Sequence, residues 1–458
     1  MFSKETYVQR RALLKKNLGS GLYLFLGNDA LALNYADNNF RYRQDSTFLY
    51  YFGLSFAGLS AIIDVDQDKE IIFGDELTID DIVWMGNQPT LHEKSERVGV
   101  SHNEPTAALA AYLQKAQGQG REINYLPTYR PEHQIKLMNL LGQVPAEQKA
   151  SFKFMEAVTN QRIYKSQEEL DEIHKACNVT ADMHMTAMKV LRPGMKEYEV
   201  VAAMNEVVAR NNYELSFATI ATIDGQTLHN HYHGNTVKAG DLFLIDAGAE
   251  TEMGYAGDMS STIPVSKKFT TRQKEVYDIQ NRMHVESVKA LRPGIRFDEV
   301  YELSARVMVD GLKDLGLMKG DTYDAVKAGA HAMFYPHGLG HMMGLDVHDM
   351  ENFGEELVGY AGEKKSTQFG RKSLRLAREL EPGFVLTIEP GIYFIPNLID
   401  LWKAEKKFTD FINYDLLETY KDFGGIRNEE DYAITKDGSM RMGMKHVPLT
   451  TDEVEALR

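Results

Sequence analysis

The feature that most constrains this 458-residue chain is a repeat. Residues 183–200, MHMTAMKVLRPGMKEYEV, and 283–300, MHVESVKALRPGIRFDEV, coincide without a gap at nine of 18 positions, at an offset of 100 residues. An Arg-Pro-Gly helix stop arises independently in many proteins, but nine ungapped coincidences point to an internal duplication. Each copy reads as a helix stopped at Arg192-Pro193-Gly194 or Arg292-Pro293-Gly294, followed by the start of another helix. A duplicated α+β unit brings two related halves around one junction, and a site at that junction draws side chains from both.

The first half contains a stretch that is electrostatically unfavourable on its own, LFLIDAGAETEMGYAGDMSSTIPV (242–265). Leu242, Leu244 and Asp246 share one face at strand period, as do Asp258, Ser260 and Thr262 on the next run. A turn near Thr251 to Gly254 is expected to set Asp246 opposite Asp258. Like charges opposed across a ladder cost roughly 0.2–1 kcal/mol, and a divalent cation between them reverses the sign. Taken alone, the pair also reads as two solvated loop residues.

Three segments of the second half offer partners. In YPHGLGHMMGLDVHD (335–349), His337, His341 and His348 fall among glycines that let the backbone run close to other groups. In EPGFVLTIEPGIYF (381–394), Val385, Thr387 and Glu389 alternate on one strand face, and Pro390-Gly391 turns the chain directly after the acid. An ionised carboxylate at the end of so apolar a strand is costly unless paired. FGGIRNEEDYAIT (423–435) places Arg427 and Glu429 on one face in the same manner. Seven of the 14 histidines lie in two short windows, 229–233 and 331–348, which suits metal or acid–base chemistry without choosing between them.

The rest of the chain bounds the function class. A net charge of −15, from 66 acidic against 51 basic residues, disfavours nucleic acid or an anionic membrane as the main partner. No run of about 18 apolar residues occurs, and MFSKETYVQRR at the N-terminus has no apolar leader segment. The single cysteine, Cys177, excludes an internal disulfide and reads as a core residue at helical spacing. A reducing, cytoplasmic setting is the expectation.

Length calls for two domains, or three at most. Residues 1–155 read as an α/β domain, with a charged helix over 4–18 and apolar strand runs at 21–27, 60–66 and 69–74. FRYRQDSTFLYYFG (40–53) reads on its chemistry as a packed strand with a polar edge. The polar segment 142–162 makes a linker, and a second domain, 160–458, opens on a helix capped by Ser166 and Glu169. Two charged excursions of helical composition, 351–380 and 395–422, read as lids, interfaces or solvated decoration.

Asp, Asp, His, Glu and Glu in this order, on strands flanked by glycine turns, resemble the metallopeptidases of the pita-bread fold. The motifs IDAG…GYAGD, PHGLGH…DVHD, IEPG and GGIR-x-E resemble in particular the Xaa-Pro aminopeptidase (aminopeptidase P) and Xaa-Pro dipeptidase (prolidase) branch. The likeness covers nearly the whole chain, including RQDSTFLYYFG (43–53), which moves that stretch towards a substrate-mouth or subunit contact. It implies an α+β architecture, with an aminopeptidase P-like N-terminal α/β domain before a C-terminal pita-bread catalytic domain.

The resemblance further implies that Asp246, Asp258, His341, Glu389 and Glu429 bind two divalent metal ions, with Asp258 and Glu429 shared or bidentate and His341 on one ion only. Ligand softness favours Mn2+, with Zn2+, Co2+ or Fe2+ as alternatives. Glu389 is implied to accept a proton from the activated water and return it to the proline nitrogen. His348 and either His229 or His231 are implied as contacts for substrate and oxyanion, His337 and Tyr393 as the proline pocket, and Arg427 as a residue behind the metal shell. Spacing to Val237 selects His229, and the His-Tyr-x-x-Asn pattern selects His231. Two departures stand out: a hairpin longer by one residue between Asp246 and Asp258, and Asn428 where an aliphatic residue is customary.

The implied function is release of the N-terminal residue from peptides with proline second, an Xaa-Pro metallo-aminopeptidase. The alternative is an Xaa-Pro dipeptidase confined to dipeptides, which differs by a cation that closes the site beyond proline and binds the dipeptide carboxylate. A non-catalytic peptide-binding relative is a third reading, disfavoured because all five ligands are present. The implied partners are Xaa-Pro peptides and further copies of the chain, as a dimer or tetramer.

Overall fold

The apolar runs of the N-terminal region fold as Leu22–Leu26, Ser60–Asp64 and Lys69–Phe73, antiparallel neighbours within a five-stranded sheet. His102–Glu104 and Ile123–Tyr125 add parallel edges. Leu22, Leu24, Ile62, Ile71 and Phe73 meet Leu109, Leu113 and Leu137 in one core. Phe25 packs edge-on against Phe52 and Phe154.

Phe52 ends a helix, Ser46–Phe52, so the strand expected within 40–53 is corrected. Asp45 caps it by accepting the Phe48 N–H, and Gly53 stops it in the left-handed region. A cap and a stop eight residues apart outweigh the β preference of the aromatics between them. The linker expected at 142–162 likewise ends in a helix, Phe152–Arg162, with Phe154 and Val158 in the core. The computed structural model describes residues 1–458, which divide into one unit of 1–162 with 350–354 and another of 163–349 with 355–458.

In the second unit the sequence repeat is a structural one. Its copies join helices Gln167–Val190 to Glu197–Arg210 and Thr271–Ala290 to Phe297–Asp314, each pair in mutual contact. Gly194 and Gly294 both have positive φ, 93° and 83°, and donate their N–H groups to Val237 O and Leu380 O. The following residues repeat the match, Lys196 bridging Thr236 and Arg296 bridging Glu379. Nine residues beyond each glycine's acceptor stands a carboxylate: Asp246 in strand Leu242–Ala247, and Glu389 directly after strand Val385–Ile388.

Each half builds a small antiparallel sheet around that strand. Leu242–Ala247 lies between Ile220–Thr222 and Met259–Pro264, and Val385–Ile388 pairs with Glu430–Ile434. The halves meet where Glu429 bridges Ser260, with the Glu429 N–H on Ser260 O at 3.0 Å. The hairpin register needs correction, because Asp246 faces Ser260 and not Asp258. Asp258 lies two residues before Ser260, so by strand alternation the carboxylates are diagonal neighbours on one face. The excursion 395–422 is helical at Pro396–Ala404 and Tyr414–Leu417, whereas 355–380 is mostly irregular.

Gly248 leaves the Asp246 strand where a Cβ would lie 1.9 Å from Gly257 O. Gly248→Ala is therefore expected to destabilise this unit by about 1–3 kcal/mol, the usual scale of overpacking. A chemical-denaturation midpoint equal to that of the parent would refute it.

Candidate active site

Four carboxylates and one imidazole converge where the halves meet. Asp258, His341 and Glu429 are buried, with ligand atoms within 4.8 Å of one another. His341 Nε2 is 3.4 Å from Asp258 Oδ2 and 4.0 Å from Glu389 Oε1. Arg427 ties in Asp246: its Nη2 donates to Asp246 Oδ2 at 2.6 Å and its Nε to Ser260 Oγ at 2.9 Å. Ser260 Oγ donates in turn to Glu429 Oε2 at 2.7 Å.

The backbone explains how His341 reaches this cluster. Residues 339–343 run along the Glu389 strand, with Thr387 N–H on His341 O and Glu389 N–H on Leu339 O. So close an approach requires Gly340, where a Cβ would fall 2.0 Å from Thr387 O.

Burial dominates the electrostatics. Asp258 and Glu429 are pushed well above the usual carboxylate range, first by burial and then by neighbouring carboxylates. Burial pushes Glu389 up to about 7, with Arg427 opposing and Asp246 adding to the rise. One oxygen each of Asp246, Asp258 and Glu429 is buried without a hydrogen-bond partner. Leaving such an atom unsatisfied costs about 1–3 kcal/mol, more when charged.

His341 Nδ1 lies 3.0 Å from Met342 O. That contact assigns the proton to Nδ1 and turns the Nε2 lone pair towards the carboxylates. Orphaned carboxylate oxygens beside an imidazole nitrogen fit divalent cations of hard or borderline character. Asp246, Asp258, His341, Glu389 and Glu429 all line the same cavity and would hold them.

This cavity, of about 770 Å3, is walled by His229, His231, His337, His348, Arg375 and Arg427. The His348 ring stacks on His341 with centroids 3.9 Å apart. Burial, and then the Arg427 charge, lower the affinity of His229 for a proton. His233, the third histidine of that window, turns to Thr219 O instead. His337 is pushed down to about 3 by burial and the Arg427 charge, and its Nε2 meets Tyr393 OH at 2.9 Å.

Tyr393 corrects an expectation. Its side chain is fully buried, with its hydroxyl on Arg427 and His337, and it does not line the cavity. Asn428 also finds a structural account: its Oδ1 accepts from Thr262 N–H and Tyr277 OH, and its Nδ2 donates to Gln280. Cys177 is buried as expected, with its thiol on Asp431, which also accepts the Asp258 N–H. Sequence reasoning missed Ser260 and Arg375. Ser260 is one hydroxyl in a Ser-Ser-Thr run, and Arg375 is one of several cations in an irregular excursion.

Comparison with known proteins agrees with this geometry. Residues 171–436 match the model of Metallopeptidase family M24, and residues 7–124 match Aminopeptidase P, N-terminal domain. The chain belongs to metallopeptidase family M24. The Xaa-Pro dipeptidase of Rattus norvegicus is 30% identical over 460 residues, covering 97% of this chain and 90% of that protein. A probable Xaa-Pro aminopeptidase of Sordaria macrospora is 29% identical over 444 residues, covering 96% and 91%.

Among solved structures, proline aminopeptidase P II from Yersinia pestis matches at a TM-score of 0.82 and 28% identity, covering 100% of this chain and 99% of that one. Zinc-substituted Escherichia coli aminopeptidase P in complex with product matches at 0.79 and 28%, covering 100% and 98%. This M24 metallopeptidase is therefore an α+β enzyme with an aminopeptidase P-type N-terminal domain before its catalytic domain. No helix in it is long and apolar enough to cross a membrane.

Glu389 in the folded, metal-free enzyme keeps its proton up to about pH 7, whereas an ordinary glutamate releases it near 4.5. The resulting stabilisation is complete below the lower value and is lost as pH rises through the higher one. Asp258 and Glu429 act in the same sense. The melting temperature of chelated enzyme should fall from about pH 5 to about pH 8, and added Mn2+ should reverse the fall. A flat profile in chelator would show that these carboxylates titrate normally.

Proposed function

We propose that this M24 metallopeptidase hydrolyses the peptide bond between an N-terminal residue and a following proline, using two divalent ions held by Asp246, Asp258, His341, Glu389 and Glu429. The carrying observation is that three orphaned carboxylate oxygens share one cavity with Glu389 and His341. When bound, the ions would supply Lewis acidity, lowering the pKa of water from 15.7 to about 7; the donor set favours Mn2+. The single cysteine supports a cytoplasmic setting.

The chain's own residues then divide the remaining work. Glu389 takes the proton of the attacking water and returns it to the leaving proline nitrogen. His348 donates to the oxyanion from beside His341, and His229 or His231 holds the substrate. Phe217, Ile220 and Leu228 give the cavity an apolar side suited to a side chain or a pyrrolidine ring, with neutral His337 next to them. Arg427 keeps Asp246 and, through Ser260, Glu429 in register.

A second, narrower reading confines the substrates to dipeptides, and Arg375 favours it. This residue lines the cavity, and its charge acts on Glu389, His337 and His229. A guanidinium there suits the free carboxylate of a C-terminal proline, which a longer peptide replaces with a neutral amide.

Glu389→Gln should lower kcat by about 10²–10⁴-fold while metal content by elemental analysis is retained; parent-level turnover would remove Glu389 from its role. Arg375→Ala should raise KM for Ala-Pro by about 10–100-fold, the worth of a charged hydrogen bond, and leave Ala-Pro-Ala unaffected. If both peptides respond equally, the carboxylate contact is wrong and the aminopeptidase reading stands.

A further inference from the structure

The loop 342–349 joins the two stacked histidines, and a buried ion pair underlies it. Lys165 Nζ lies 2.7 Å from Asp349 Oδ2, with side chains only 1% and 2% exposed. The Asp349 N–H donates to Met342 O at 2.9 Å, closing the loop beside His341, and Asp349 Oδ1 accepts the Asp346 N–H at 3.4 Å. Lys165 is itself anchored, its N–H on Gly383 O at 2.8 Å, at the entry to the strand that leads to Glu389. Gly344 packs so tightly on the pair that a Cβ would fall 2.8 Å from Asp349 Oδ2 and 2.9 Å from Lys165 Cε. The Gly344 carbonyl accepts the Ala256 N–H, two residues before Asp258.

Ions as buried as these cost several kcal/mol each to desolvate, and an apolar pair of similar volume is often at least as stable. Stability alone is a weak reason for placing them here. An ion pair does something an apolar contact does not: it has one length and one direction, whereas packed methyl groups tolerate sliding. His348 directly precedes Asp349, so an error at the carboxylate passes straight to the ring stacked on His341.

We propose that Lys165 and Asp349 are positioning residues for the reaction, holding His348 in place over His341. The inference rests on the substrate contact assigned to His348 under the proposed function.

The test is the double variant Lys165→Met/Asp349→Asn, which removes both charges and keeps an acceptor for the Asp346 N–H. Its melting temperature and metal content should match those of the parent, while kcat on Ala-Pro falls about 10–100-fold, the scale of a misplaced group. In a His348→Ala background the same double substitution should cause no further loss, because two changes acting through one side chain do not add. Parent-level kcat in the double variant overturns the proposal, and so does an undiminished loss in the His348→Ala background. Full activity of His348→Ala alone overturns the underlying reading of His348, and it is recognisable because it appears without the double substitution. Should the double variant not fold, Lys165→Arg carries the same test: a several-fold loss in the parent and none in the His348→Ala background.

Discussion

Carboxylates crowded out of water around one cavity set the terms for the second unit. Two unit charges 4 Å apart repel by about 4 kcal/mol at an effective dielectric constant of 20, and the Arg427 guanidinium is already engaged by Asp246, Ser260 and Tyr393. Covalent chain and backbone ladders hold the groups together against that repulsion. Asp246 is fixed by a strand paired on both sides, and Glu429 by its bridge to Ser260. Burial first, and the neighbouring carboxylates after it, make Glu389, Asp258 and Glu429 hold their protons above the ordinary range when no cation is there.

The duplication explains why the cluster can be built at all. In both halves an Arg-Pro-Gly turn ties its glycine N–H to a distant carbonyl, and a strand running on from that carbonyl delivers an acid after the same number of residues. Asp246 and Glu389 are thus counterparts, one from each half. The repeated Met-His places a buried histidine behind each sheet: His184 on Ala247 O and Ser261 Oγ, and His284 beside Glu430. The second half then departs from symmetry. Its excursion 351–380 has no counterpart of equal length in the first half, and it carries Arg375 into the cavity.

The site was largely legible because its signals are local. A carboxylate ending an apolar strand is anomalous wherever the strand lies, so Asp246 and Glu389 stand out in isolation, and glycines around His341 announce a close backbone approach that Gly340 makes against Thr387. Signals that depend on what lies opposite were misread. The Asp246 strand pairs with Ser260 and not Asp258, because the hairpin is centred on Met253, with Glu250 bridging Ala256 and the Thr251 N–H on Tyr255 O. Residues 40–53 became a helix because Asp45 and Gly53 specify its ends, while their aromatics suit either structure. Tyr393 reads as a pocket residue from its position after the Glu389 turn, and only burial shows that its hydroxyl serves Arg427 and His337.

Sequence by itself determined the repeat, the family resemblance and the identities of the metal-binding candidates, since each is written in residue order and spacing. Tertiary structure alone decided the register of the two aspartates, the relay from Arg427 through Ser260 to Glu429, the approach of Arg375 to Glu389, and the pairing of Lys165 with Asp349. Those partners lie between 14 and 184 residues apart. Which distant groups meet is set by the packing of whole sheets and loops, and no local pattern encodes that.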